Sequence, residues 1–510
     1  MLARTKTFTI DGLQTRQVAV EVDISPGLPA FTIVGLADAS VREARERVQA
    51  AIRNSGYEFP GRRVTVSLAP ADVPKVGPGL DLALACGVLA ASNQLPKDRL
   101  EDYALFGELA LDGSVRGCEG TLAVAQACAD ANMQTLVLAP ECAREAMLVR
   151  ELQIAPVQQL NSAVRVLHGD LPDPLPEPDD PERVNADASG SGPDLSEVRG
   201  QHHAVRAVIV AAAGGHNCLL SGPPGTGKTM LAQRIPSILP GLSRPEAIEV
   251  TRIHSIAGDL KGQLANRRPF RAPHHTITTV GLVGGAHKGR VGEVVLAHRG
   301  VLFLDELSEF AKPALEALRQ PLEDGRVAIV RARHSTVYPS RFMLIAATNP
   351  CPCGYGGEGE HCRCSENDLA RHRRKLSGPL LDRIDLQAKL ENAGSEGLSS
   401  EPLTSSEKAR EQVTLARERQ EHRLQDEGAT VNADMDVRML EQHARLNEQG
   451  QQILLAAQAR GLLSARGQHR TLRVARTIAD LNGSEQVQTR DIALALSLRP
   501  ETGLRGSRAA

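Results

Sequence analysis

The octapeptide GPPGTGKT, Gly222–Thr229, restricts the fold more than any other stretch of this chain. Its G-x-x-x-x-G-K-T spacing works only where an apolar strand delivers the backbone to a tight loop and a helix carries it away. Both flanks are present, NCLLS before and KTMLAQRI after. The glycines let backbone N–H groups turn inward around phosphate oxygens. Gly222, Pro223, Pro224, Gly225, Thr226 and Gly227 would form the cradle, Lys228 would reach the β- and γ-phosphates, and Thr229 would ligate Mg²⁺. A glycine-rich turn that merely precedes Lys-Thr is the alternative, and the flanking strand and helix argue against it. ATP and Mg²⁺ are the expected ligands.

Two further apolar runs end in polar residues. GVLFLDELSEF reads as a buried strand, Val301 to Leu304, followed by Asp305 and Glu306. Carboxylates at the C-terminal end of a parallel strand face the ligand crevice. There Asp305 would hold the metal and Glu306 would act as general base on water. FMLIAATN reads as another strand, ending in Asn349. That amide would orient water against the γ-phosphate, or else is a simple turn residue.

The remaining organisation follows from composition. A chain of 510 residues is too long for one ordinary domain. With 41% hydrophobic residues it can bury a large core, and with 2% aromatics that core is aliphatic. A net charge of -2 excludes wholesale polyanion binding but leaves room for local basic patches. No signal-peptide run or membrane-length apolar stretch is read, so a soluble cytoplasmic protein without membrane contact is expected. GDLPDPLPEPDDPERVNADASGSGP is too polar and proline-rich to fold by itself and divides the chain. The expected order is an α/β domain over 1–169, an acidic linker over 170–193, an α/β core with a parallel sheet over 194–392, and helices over 393–510. In the first domain, Ser40 is the expected N-cap of a helix that stops at Gly56.

Four of the nine cysteines form C-x-C-x8-C-x-C, directly after the Asn349 strand. Cys351, Cys353, Cys362 and Cys364 are suited to tetrahedral Zn²⁺ in a closed structural site. The glycines between the pairs let them converge. A redox disulfide pair is the competitor, disfavoured in a reducing compartment. Cys86, Cys118, Cys128, Cys142 and Cys218 read as small core residues.

The stretches GQHHAVRAVIVAAAGGHNCLLSGPPGTGKTMLA, RPFRAPHHT, AHRGVLFLDELSEF, LRQPLEDG, NPCPCGY, LSGPLLDRIDL and RVARTIADL resemble the YifB/ComM family of magnesium-chelatase-like AAA+ ATPases. Ala286 and Thr348 depart from the family pattern, at positions outside the nucleotide chemistry. The resemblance implies a P-loop AAA+ parallel sheet with a helical lid. It also implies a hexameric ring in which Arg383 acts as an arginine finger on a neighbour's nucleotide and Arg466, or alternatively Arg473, serves as sensor 2. A guanidinium suits both roles because it stays charged and donates a fork of hydrogen bonds. The alternative for Arg383 is a salt bridge to Asp382 or Asp385.

Two insertions carry basic residues near their tips, His287, Lys288 and Arg290 in one and Arg331, Arg333 and His334 in the other. In a ring these would line the pore and touch a phosphate backbone, unless they are ordinary solvated tips. The N-terminal region resembles the proteolytic domain of Lon, an S5 domain 2-like α/β fold. Gly79 and Leu122 stand where that domain has its serine and lysine, so no peptidase chemistry is expected. Ring assembly, a second DNA contact or plain structural support would be its role. The resemblance thus points to ATP-driven branch migration on single-stranded and branched DNA, aiding recombination of incoming DNA during natural transformation. A protein-remodelling ATPase and a chelatase-type motor subunit are the alternatives.

Overall fold

The computed structural model describes residues 1–174, 192–259, 264–285, 291–331, 334–355, 362–375, 378–394, 397, 399–461 and 463–499. Most of the linker, together with His287, Lys288, Arg290 and Arg333, lies outside them.

The N-terminal part is a mixed seven-stranded sheet in the order β3-β4-β2-β1-β5-β8-β9. Its first four strands are β1 (Leu2–Asp11), β2 (Gln14–Ser25), β3 (Ala30–Val34) and β4 (Arg63–Ala69). After β5 (Tyr103–Phe106), the two-stranded ribbon β6 (Glu108–Leu109) and β7 (Val115–Arg116) leads on to β8 (Thr135–Leu138) and β9 (Gln153–Pro156). The alternation at Val18, Val20 and Val22 puts all three in the core. There they meet the wholly buried helix Asp81–Ala91.

Helix Ala39–Asn54 is capped by Asp38, whose carboxylate accepts from the Val41 amide, and not by Ser40. Ser40 lies inside the first turn, where its hydroxyl cannot reach the orphan N–H groups. Of the cysteines read as core, Cys86, Cys128 and Cys218 are buried, whereas Cys118 and Cys142 are only partly so. Gly79 and Leu122 are both buried, and the Phe106 ring fills the space beside Gly79. A Cβ there would lie 2.9 Å from its Cζ and 3.0 Å from its Cδ2.

The second sheet holds β10 (Cys218–Ser221), β11 (Phe270–Arg271), β12 (Val301–Leu304), β15 (Met343–Thr348) and β16 (Leu386–Lys389). It is parallel throughout, in the order β11-β12-β15-β10-β16. Strands β12 and β15 are buried at every position. That explains their unbroken apolar runs, since a parallel sheet is covered on both faces. Between them β13 (Arg326–Arg331) and β14 (His334–Pro339) form a separate antiparallel hairpin.

From Ser406 onward the described residues are helical, with principal helices Ser406–Leu424, Glu448–Ala459, Ala465–Leu481 and Thr489–Ser497. The first packs on helix His202–Gly214 of the sheet layer. Its Arg417 caps that helix by donating to Ala212 O at 2.7 and 3.0 Å. No helix among the described residues is long and apolar enough to cross a membrane.

The N-terminal part docks on helix Arg244–Ile256 of the second. Ser255 Oγ donates to Glu145, which also accepts from the Leu122 amide at 2.7 Å. Burial raises the Glu145 carboxyl above its ordinary range, against these two donors. Arg252 donates to Leu13 O in the β1–β2 turn. That turn reaches the base of the β13–β14 hairpin. Gly12 has φ +65°, and a Cβ there would collide with Thr336 and lie 3.1 Å from Tyr338 Cζ. Gly12→Val is expected to destabilise the folded chain by about 1–3 kcal/mol, through both the strained φ and the clash. The midpoint of urea unfolding, followed on the full chain, checks this. An unchanged midpoint would mean that the turn does not press on the hairpin.

Candidate nucleotide-binding site

Because β10, β12 and β15 run parallel and in register, their C-terminal ends lie side by side. Ser221 leads into Gly222, Leu304 into Asp305 and Glu306, and Thr348 into Asn349. The structure therefore brings together the residues the three apolar runs point to. Gly225 and Gly227 have φ +78° and +88°, which turns the loop back on itself as only glycine does at low cost.

Lys228 opens helix Lys228–Gln233. Its Nζ donates to Gly222 O at 2.7 Å, Pro223 O at 2.8 Å and Asn349 Oδ1 at 3.0 Å. The ammonium is thus fixed over the loop by carbonyl and amide oxygens. Burial holds it below its ordinary pKa range, with Asp305 pulling the other way. Thr226 Oγ1 donates to Pro223 O at 2.8 Å and braces the loop.

Thr229 Oγ1 donates to Asp305 Oδ2 at 2.6 Å. A hydroxyl and a carboxylate so close, at the start of the helix that follows the glycine-rich loop, form a hard-oxygen donor pair that suits Mg²⁺. Glu306 is exposed and has a left-handed backbone, φ 51° and ψ 51°, uncommon for a residue with a side chain. Its amide donates to Asp305 Oδ1 at 2.9 Å. The imidazole of His275 lies 3.5 Å from Glu306 Oε2. Sequence reasoning assigns His275 no role. Its one local signal is its position just after β11, the neighbour of β12.

The cysteines converge. Cys351, Cys353, Cys362 and Cys364 offer sulfurs all within 4.8 Å of one another. Cys351 and Cys353 are 3.3 Å apart, Cys353 and Cys362 3.4 Å, and Cys351 and Cys362 3.8 Å. A tetrahedron with bonds of about 2.3 Å spaces its sulfurs by roughly 3.8 Å, so the donor set fits Zn²⁺.

Arg383 and Arg466 lie elsewhere. Arg383 precedes β16, at the N-terminal edge of the sheet and away from the loop at Gly222. There a cleft of about 680 Å³ is lined by Arg383, Arg466, Arg470, Arg473, Arg299 and Arg341, among others. Arg383 pairs with Glu323 on helix Arg319–Asp324, a partner distinct from the Asp382 and Asp385 considered from sequence. Arg473 donates to Met435 O at 2.8 Å, whereas Arg466 is exposed in the first turn of its helix. Of the basic tips, Arg331 ends β13 in register with His334.

Comparison with known proteins places this architecture. Residues 194–398 match the family described as magnesium chelatase, subunit ChlI. Residues 20–142 match subunit ChlI of Mg-chelatase, and residues 403–499 its C-terminal region. Competence protein ComM of Haemophilus influenzae is 41% identical over 497 residues, 96% of this chain and 95% of that protein. YifB of Escherichia coli K12 is 41% identical over 491 residues, 96% of this chain and 95% of its own. The chain belongs to the YifB/ComM family. An uncharacterized protein of Mycobacterium tuberculosis H37Rv is 42% identical over 515 residues, 99% of both chains. The YifB/ComM relatives therefore span the N-terminal sheet as well as the parallel one. The family is magnesium-chelatase ChlI-like and carries an N-terminal ChlI domain.

Proposed function

We propose that this chain is an AAA+ ATP hydrolase that works as a ring on DNA, with branch migration of joined strands as its task. The observation that carries this is the separation of the loop at Gly222 from Arg383. The two lie at opposite edges of one parallel sheet, beyond the ends of the adjacent strands β10 and β16. Four strand residues span roughly 13 Å, too far for Arg383 to touch a nucleotide held by its own chain. A neighbouring copy, placed head to tail, would bring its nucleotide to the arginine-lined cleft. Heterologous contacts of that kind close into rings, and the family resemblance suggests six members. Arg466, exposed on the same cleft, is the natural second cation, while Arg473 is committed to Met435 O.

Within one site the roles divide by chemistry. Lys228 exchanges its carbonyl partners for phosphate oxygens when ATP enters. Thr229 and Asp305 would hold Mg²⁺, which would supply positive charge against the phosphates. Glu306 accepts the proton of the attacking water. Asn349, whose Oδ1 accepts from Lys228, orients that water. Zinc on the four cysteines is structural: the closed thiolate set leaves no open position for chemistry.

DNA enters the reading through the hairpin bearing Arg331 and Arg333, the insertion with Lys288 and Arg290, and the name of the Haemophilus relative. The ChlI descriptions favour the other reading, a motor subunit that drives a partner enzyme. The ATPase rate decides between them. Four-way-junction or single-stranded DNA is expected to raise it severalfold, and an unfolded-protein control is not. A rate indifferent to DNA would remove the DNA reading while leaving the hydrolase in place.

A further inference from the structure

Beyond the structural zinc site, the cysteine-held turn touches the nucleotide site at two points. We infer that this turn is a wall of that site, and that a bound metal positions both the phosphate loop and Asn349. The inference rests on reading Gly222–Thr229 as the ATP loop.

The first point of contact is Gly354. Its φ is +93°, and its amide donates to Cys351 O at 3.0 Å, closing the turn between the first two cysteines and Tyr355. A Cβ on Gly354 would lie 2.5 Å from Pro224 Cδ and 3.0 Å from its Cγ. Backbone and ring are thus in direct van der Waals contact, with no room for a side chain. Pro224 is the third residue of the phosphate loop, and its ring packs against this turn.

The second point is Asn349, which is held from two directions. Two residues on, the chain enters the cluster at Cys351, whose side chain is fully buried. After Cys364 the chain turns at Ser365, where Ser365 and Asp368 exchange hydrogen bonds of 2.7 to 3.2 Å. It then forms helix Glu366–Lys375. From that helix His372 Nε2 donates to Asn349 O at 2.9 Å, and the imidazole is buried. Asn349 Oδ1 in turn accepts from Lys228.

Strand end, cluster, helix and strand end therefore make a closed loop, and the metal is the clasp. This segment is polar and has little apolar surface of its own to bury. The free energy of metal binding is then what holds it folded. Without the clasp, Gly354 is free to leave Pro224 and His372 to leave Asn349. Lys228 then loses the amide that fixes its ammonium.

The test uses the full chain and reads zinc content by elemental analysis and affinity for a fluorescent ATP analogue by titration. Three samples are compared: the parent protein, the parent dialysed against a zinc-selective chelator, and Gly354→Ala. The parent is expected to carry about one zinc per chain. The dialysed protein is expected to bind the analogue about tenfold more weakly or worse, and to recover when zinc is returned. Gly354→Ala is expected to keep its zinc and still bind more weakly, because it separates the turn from Pro224 without removing a ligand. If Gly354→Ala also loses zinc, the dialysed and reconstituted samples decide. Unchanged affinity in dialysed protein and in Gly354→Ala overturns the inference. A parent that binds no ATP analogue at all refutes the ATP reading instead, and the two failures are distinct.

Discussion

Lys228→Ala is expected to weaken ATP binding by about 100-fold or more, because a charge-assisted interaction with the phosphates disappears and nothing nearby replaces it. The carbonyls of Gly222 and Pro223, now facing the ammonium at 2.7 and 2.8 Å, would be left facing phosphate oxygens. Glu306→Gln is expected to behave differently. The side chain is exposed, with its carboxylate 3.5 Å from the His275 imidazole. Binding should stay within a few-fold of the parent, while hydrolysis falls by about 10²–10⁴-fold with the general base gone. Equilibrium titration beside single-turnover hydrolysis separates the two variants. Equal loss of binding in both would refute the division of roles between the loop and the strand end.

The parts of this site that can be read from sequence share a physical cause. Strands β10, β12 and β15 are covered on both faces, so they appear as unbroken apolar runs whose first polar residue marks the ligand edge. Parallel topology does the rest, since it brings Gly222, Asp305 and Asn349 to the same end of the sheet. The cysteines are readable because four thiols in a glycine-rich polar segment have few other uses. Strand β1 escapes sequence reasoning for the opposite reason. Its inward-facing residues include Thr5, Thr7 and Thr9, all buried, so its alternation carries no hydrophobic contrast. The Asp38 cap escapes it because Ser40 is an equally good capping type two residues away. His275 beside Glu306, Glu323 beside Arg383, and Gly354 against Pro224 join residues 31 to 130 positions apart. Local pattern cannot supply such pairs. They depend on which strand ends the sheet order places together.

The second large effect concerns the ring. Arg383→Ala is expected to lower the hydrolysis rate by about 10³–10⁵-fold, the range for an arginine supplied to a transferring phosphoryl group in trans. ATP binding should change little, because Arg383 lies at the other end of the strands from the loop, and DNA binding should change little because it is assigned to other residues. The variant Arg331→Ala with Arg333→Ala is expected to do the reverse. DNA affinity should fall without regard to sequence, and the slope of log affinity against log salt should shrink by about 2, one unit for each cation that no longer neutralises a phosphate. Hydrolysis without DNA should persist. The hairpin runs from Gly325 to Ser340 and returns directly into β15, whose end carries Asn349. In the proposed ring, movement at the nucleotide would pass through β15 to β14. A hairpin double variant that still moves four-way junctions at the parent rate would exclude that route.

If one chain's nucleotide is hydrolysed with another chain's arginine, two inactive variants should rescue each other, and mixing them is the most direct test. Lys228→Ala keeps Arg383 but cannot hold ATP, and Arg383→Ala holds ATP but lacks the arginine. Each alone is expected to be inactive. Co-assembled in equal amounts, they create interfaces that pair an intact loop with an intact arginine, and a substantial fraction of parent hydrolysis should return. A co-assembled mixture no more active than its separate components would contradict the account, as would full hydrolysis by Arg383→Ala alone.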